Sequence, residues 1–458
     1  MVHVDRLTAD DLVILMADGR WPQDVGLVGV LDGARLIDAE GRFRLESVRA
    51  MIGTRLEVVP RLRQRLEFPR RGLGPPVWVE DRRFDLDDHL RVARIPEPGS
   101  EAQFLAVVEE LRRHRLVPSR PLWEMWFLLG MPRARVGLFI RVHHVFGDGL
   151  AGLSTLTRLL QSDGGGLNRA RAAPAAPPTD RALLADNVRR QIRAVRRTSR
   201  TVVHPVGSMR ALRANVPALR DLLAYDPWPD IGFNRLVGSH RALAVVRSRF
   251  DLVQNAAHLH HATVNDVLLA AMAGGMRELL EKRRVGIDDL ELPIYVPISL
   301  RQDEDDPPAG NKISETVISL PIGIGDHATR LERIAAETTR RKAMTRPPLG
   351  SVFHGRLLSG IMMQLIARKR VNLTSSDLIG PAAPLSVAGA PLLEIYPLMN
   401  LIGNVTLGVA AISYAGQFNL MVIADAETFP DLGVFVAGMR RELDALTDPT
   451  SRSAEATA

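Results

Sequence analysis

Apolar periodicity divides the chain into two sections of mixed strand and helix, separated by a stretch that cannot build a core. In the first section, residues 25–32 read as a strand and 44–53 as a helix. Residues 103–113 carry apolar side chains at helical spacing. Residues 135–144 are rich in Val, Ile and Phe and are bounded by turn formers, the pattern of a buried strand. Leu150, Leu153, Leu156 and Leu160 then give a following helix one apolar face. The composition changes at Asp163: a Gly, Ala and Pro-rich run opens a connecting segment, 163–231. Within it, residues 181–223 predict a strongly basic helix with Val188, Ile192 and Val195 on one face. Such a helix is either a solvated bridge or a surface that meets anionic lipid.

The second section, 232–448, predicts helices over 263–280, 329–344 and 432–446. It predicts strands over 292–298, 313–320, 398–402, 405–413 and 418–424. Residues 449–458 are small and polar, the composition of a disordered tail. Strands and helices in both sections, 1–162 and 232–448, imply a two-domain α/β or α+β fold.

Composition narrows the function classes. With 458 residues, 46% apolar and 24% charged, the chain can bury two ordinary cores. It has no cysteine, which excludes disulfides, thiolate metal sites and a cysteine nucleophile. The net charge of +7 favours anionic partners, and nearly all the positive charge is arginine. Zinc-finger spacing and an RNA-binding aromatic signature are absent, so nucleic acid is not an expected partner. No signal peptide is read at the N-terminus, and no apolar run approaches the roughly 20 residues of a spanning helix. The expected location is cytoplasmic, with peripheral contact at the inner membrane or lipid droplets left open.

The chemistry concentrates at His143-His144-Val145-Phe146-Gly147-Asp148-Gly149. A buried strand brings two histidines to its end, a glycine-bearing turn follows, and a helix begins. Neighbouring strand side chains face opposite ways, so only one of His143 and His144 can project into a cleft. A neutral histidine there can act as general base toward an alcohol. No G-x-S-x-G elbow offers a serine nucleophile. Asp148 could orient an imidazole or, as the preferred reading, pair with an arginine to hold the turn, with Arg301 the candidate. Gly149 would let the backbone come close. The cluster His258, His260 and His261 lacks a nearby carboxylate at ligand spacing and reads as surface rather than metal site, as does the acidic loop 303–306.

The His-His-x-x-x-Asp-Gly motif resembles that of the coenzyme A-dependent acyltransferases. More closely, the chain resembles the bacterial wax ester synthase/diacylglycerol acyltransferase family, and the matching segments run in order over nearly its whole length. They are Trp78 to His89, Pro121-Leu122-Trp123-Glu124, Asn265-Asp266, Pro297 to Arg301, Gly310-Asn311 and Gly380-Pro381. The chain departs from the family at Val117-Pro118, where Asp-Arg is usual, and at Asp377-Leu378-Ile379, where Asn-Val-Pro is usual. The resemblance implies two chloramphenicol acetyltransferase-like domains with a substrate tunnel between them. It implies His144 as base, His143 in support, and Asn265, Asp266 and Arg301 as binding or supporting residues, although Asn265 could equally cap a helix. The implied reaction moves a long-chain acyl group from acyl-CoA to diacylglycerol or a fatty alcohol, with acyl-CoA as cosubstrate and no further cofactor. Another hydroxylated lipid as acceptor, or a non-catalytic acyl-CoA-binding relative, are the alternatives.

Overall fold

The computed structural model describes residues 4–147, 149–160, 176–203, 231–299, 313–343 and 371–448. Its strands, numbered in chain order, form two six-stranded sheets and a small ribbon. The first sheet runs β11 (Ser386–Val387), β12 (Ala390–Leu398), β1 (Asp24–Asp32), β6 (Arg135–His143), β5 (Trp123–Leu129), β4 (Leu90–Arg94). The second runs β7 (Arg241–Arg249), β14 (Gln417–Asp425), β13 (Leu407–Tyr414), β10 (Leu373–Ile379), β8 (Glu291–Ser299), β9 (Ile313–Pro321). The ribbon pairs β2 (Gln64–Glu67) with β3 (Val77–Glu80).

The strongly periodic segments fold where their pattern places them. The helix Val264–Lys282 and the helix Leu432–Thr447 lie over one face of the second sheet and share its core with Phe418, Leu420 and Val422. Alternate residues of β14, Met421 and Ile423, face the other way. There they meet Val28, Phe104, Phe139 and Tyr396 of the first sheet's layer. This third cluster is the seam between the two sheets. The helix Glu101–Arg113 packs along β7 at the same seam. Arg247 of β7 clasps the seam from outside, with Nη2 2.5 Å from Glu101 and 2.9 Å from Glu394.

The strand expected at 398–402 lies earlier, at Ala390–Leu398. Pro391 and Pro397 interrupt its sequence signal, since proline weakens the reading of any strand. Although it belongs to the second section of chain, β12 pairs antiparallel with β1, from Gly26–Leu398 to Leu31–Leu392. The first sheet is therefore completed by a strand from beyond the connecting segment.

Of that segment, the helix Asp180–Val203 is described. Its first turns dock on the ribbon: Leu183 is buried against Val77 and Val79, and Arg6 reaches Asp186 at 2.7 Å. The rest of the basic run and the glycine-rich linker lie outside the described residues.

Candidate functional site

The central strand β6 is buried along nearly its whole length between β1 and β5. Such a strand fixes whatever its last residues present. His143 stays in the ladder, opposite Asp24, and its N–H donates to the Leu122 carbonyl at 3.0 Å. His144 begins a single 3-10 turn, His144–Phe146, and its N–H donates to the Gln23 carbonyl at 2.7 Å. Gly147 ends the turn at φ 149°, ψ 175°, a conformation essentially reserved for glycine. The two histidines differ in access: His143 is buried, whereas His144 keeps part of its surface open.

The His143 ring is tied at Nδ1 and faces a carboxylate at Nε2. Nδ1 accepts from the Val145 N–H at 3.2 Å, which leaves the ring proton on Nε2, 3.4 Å from Asp18 Oδ1. Burial pushes the Asp18 carboxyl up, but the hydrogen bonds from His143 and the Gln23 N–H outweigh it. With the Arg115 charge, they hold Asp18 below the usual range. Asp18 ends the helix Ala9–Asp18, which packs against the 3-10 turn. The sequence reading missed this helix and with it Asp18. Its signal was the capping box Thr8-x-x-Asp11 ahead of Leu12-Val13-Ile14-Leu15. Gln23 ties the turn to the far end of the chain, since its Oε1 accepts from Asn400 Nδ2 at 2.8 Å.

Two residues before His143, Arg141 sits almost fully buried. Its guanidinium reaches Asp24 at 3.1 Å and Glu124 at 2.8 Å, and donates to the carbonyls of Arg112 and His114. Burial raises the Asp24 carboxyl above the usual range despite the pull of Arg141. The family-like segments also meet here. His89 is stacked between Phe84 and Trp123, with centroids 5.1 and 4.5 Å away, and its Nδ1 lies 2.8 Å from the Trp123 carbonyl. Trp123 is core, and its indole N–H donates to the Leu62 carbonyl.

In the second section, Asn265 and Asp266 lie at the start of a helix. Thr263 caps the helix Val264–Lys282 in a box with Asp266, whose Oδ2 accepts from the Thr263 hydroxyl at 2.7 Å. Asp266 Oδ1 accepts from Thr338 at 2.8 Å, so this buried carboxylate holds two helices together. Asn265, beside it, is half-buried in the first turn. Asp148 and Arg301, and hence their suggested pairing, lie outside the described residues, as do the side-chain surroundings of Gly149. Among the described residues no three His, Cys, Asp or Glu side chains form a metal-holding group.

The strand that departs from the family pattern also departs from its neighbour. β10 pairs with β8 only at Leu373–Ile294 and Tyr295–Thr374, while its pairing with β13 continues to Ile379. Leu378 turns into the first sheet's core beside Ile412 and Tyr414. A Cβ on Gly380 would sit 1.8 Å from the Ser413 carbonyl oxygen, so glycine is required there. Asp377 is exposed near this divergence.

Comparison with known proteins agrees with this architecture. Residues 7–268 match the family model of the wax ester synthase/diacylglycerol acyltransferase catalytic domain, and 309–447 match that of the WS/DGAT C-terminal domain. The Mycobacterium tuberculosis (strain H37Rv) protein "Probable diacyglycerol O-acyltransferase tgs1" is 26% identical, over 96% of this chain and 94% of its own. The solved wax ester synthase/diacylglycerol acyltransferase from Marinobacter aquaeolei VT8 superposes with a TM-score of 0.65 at 22% identity, covering 96% of this chain and 98% of that one. A starter condensation domain of rhizomide synthetase, solved with C8-CoA, shares the fold at a TM-score of 0.60 and 15% identity, over 98% and 96% of the chains. With both family domains present and the histidine pair set at the end of β6, the chain belongs to the wax ester synthase/diacylglycerol acyltransferase family.

Proposed function

We propose that the protein transfers a long-chain acyl group from acyl-CoA directly to an alcohol oxygen, with His144 as the general base. The observation that carries the assignment is the contrast within the pair. His143 is buried, tied at Nδ1 and turned toward Asp18, while His144 keeps access from the end of a rigid strand. In the proposed step, His144 takes the acceptor hydroxyl proton as that oxygen attacks the thioester carbonyl. The tetrahedral intermediate collapses, the C–S bond breaks, and the proton passes to the departing thiolate, releasing free coenzyme A. The reading calls for no metal or organic cofactor besides the acyl-CoA cosubstrate.

The proposed acceptors are diacylglycerol, giving triacylglycerol, and long-chain alcohols, giving wax esters. No helix among the described residues is long and apolar enough to cross a membrane. A lipid acceptor must then be met at a surface, and the helix Asp180–Val203 fits that task. Leu184, Val188 and Ile192 are exposed at four-residue intervals, beside Arg181, Arg189, Arg190 and Arg193.

The test is release of free coenzyme A from palmitoyl-CoA, with and without dioleoylglycerol or hexadecanol. Acceptor-dependent release with ester formation is expected. Silence with both, alongside release with another hydroxylated lipid, would overturn the acceptor assignment and keep the reaction class.

A further inference from the structure

A recess of about 550 Å³ opens at the seam, between residues 20–22 and 110–115 on one side and 236–241 on the other. Its walls carry Arg20, Arg112, Arg113, Arg115 and Arg241. Glu110 is the single carboxylate in this lining, and it pairs with Arg113 at 3.0 Å. Arg112 is satisfied by Glu109, and Arg115 by Asp18. Arg20 and Arg241 are less completely paired. Arg20 is exposed above the Trp21 ring, 4.8 Å from its centroid, and among the described residues no carboxylate lies within ion-pair distance of it. Arg241 is the more telling, because its side chain is 3% exposed and its buried Nε makes no hydrogen bond. Its Nη1 donates to the Gly238 and His240 carbonyls and lies 3.8 Å from Asp425, and its backbone N–H donates to Glu109 at 2.8 Å. Burial and the neighbouring Arg112 charge outweigh these two carboxylates and lower its guanidinium to about 10. An idle donor on a buried cation is costly, and a further anion at the recess would offset part of that cost.

We infer that this recess binds the phosphate-bearing nucleotide end of the acyl-CoA cosubstrate. The inference rests on the acyltransferase reading and extends it by naming the subsite. Coenzyme A carries a pyrophosphate and a ribose phosphomonoester, and guanidinium forks match such oxygens in charge and geometry. Trp21 adds an aromatic ring for the adenine. The recess adjoins segments that hold the histidine turn and its strand. The segment Arg20–Pro22 runs directly into Gln23, whose carbonyl holds His144, and the carbonyls of Arg112 and His114 hold Arg141. A nucleotide seated here would direct its pantetheine arm along these walls toward His144.

The test is direct binding, measured by calorimetry with coenzyme A and with adenosine 3′,5′-bisphosphate. Wild type is compared with Arg20→Glu, Arg113→Glu and Arg241→Lys, each first shown to melt like wild type. Exposed positions carry the first two changes, so the result survives if the buried variant fails to fold. Each reversal is expected to weaken both ligands about tenfold, the scale of one charge-assisted contact. The KM for palmitoyl-CoA should rise relative to that for palmitoyl-pantetheine. Undiminished coenzyme A affinity in the reversals would overturn the subsite whatever the activity. So would a loss confined to phosphatidylglycerol vesicles or inorganic phosphate, which would give the recess to another phosphate source. Failure of the acyltransferase reading is distinguishable, because it appears as absent acceptor-dependent turnover in wild type while coenzyme A binding is scored separately.

Discussion

His144→Ala is expected to lower acyl transfer by about 10²–10⁴-fold while leaving the fold and coenzyme A binding intact, the range of a positioned general base. The β6 ladder and the Gln23 contact run through backbone atoms, which alanine keeps. His143→Ala is a different experiment. It removes the acceptor for the Val145 N–H and leaves Asp18 without its imidazole partner, so the turn itself should loosen. Steady-state rates with palmitoyl-CoA and hexadecanol, beside thermal melts, separate the two variants. If His144→Ala turned over like wild type, the base assignment would be lost, and His143 would be the next ring to consider.

Arg141→Met should produce the largest loss of stability, about 3–5 kcal/mol, the usual cost of removing one partner from a buried ion pair. Asp24 and Glu124 would be left facing each other, and the carbonyls of Arg112 and His114 would lose a donor. The urea midpoint should fall accordingly. Adding Asp24→Asn and Glu124→Gln should recover part of that loss, because the stranded negative charges are then gone. A single variant as stable as wild type would show that the cluster is solvated rather than buried. Asp24 pairs across the ladder with His143, so a loosened cluster should also lower turnover.

Legibility in the sequence followed distance along the chain. The elements around the motif were readable because strand β6, its turn and the next helix are contiguous, and their periods change at Gly147 and Gly149. The helix Val264–Lys282 and strands β8, β9, β13 and β14 were equally plain, being long and strongly apolar. What escaped were partners drawn from far away. Asn400 and Gln23 are 377 positions apart, and no local pattern announces their contact. Arg141 was invisible for another reason: a charged residue reads as surface until its partners are known, yet Arg141 is among the most buried side chains here. The recess at the seam is likewise assembled from three separate stretches of arginine.

The completion of the first sheet by β12 also bears on how the chain is made. During synthesis β1 can pair with β6 once residue 143 has emerged, but its other edge waits for residues 390–398. Until then a nearly continuous apolar strand stands open, the kind of edge that recruits other chains. The N-terminal half is thus a poor candidate for expression alone. A ribosome pause or truncation before β12 should yield aggregates, and adding a peptide spanning β11 and β12 should rescue them.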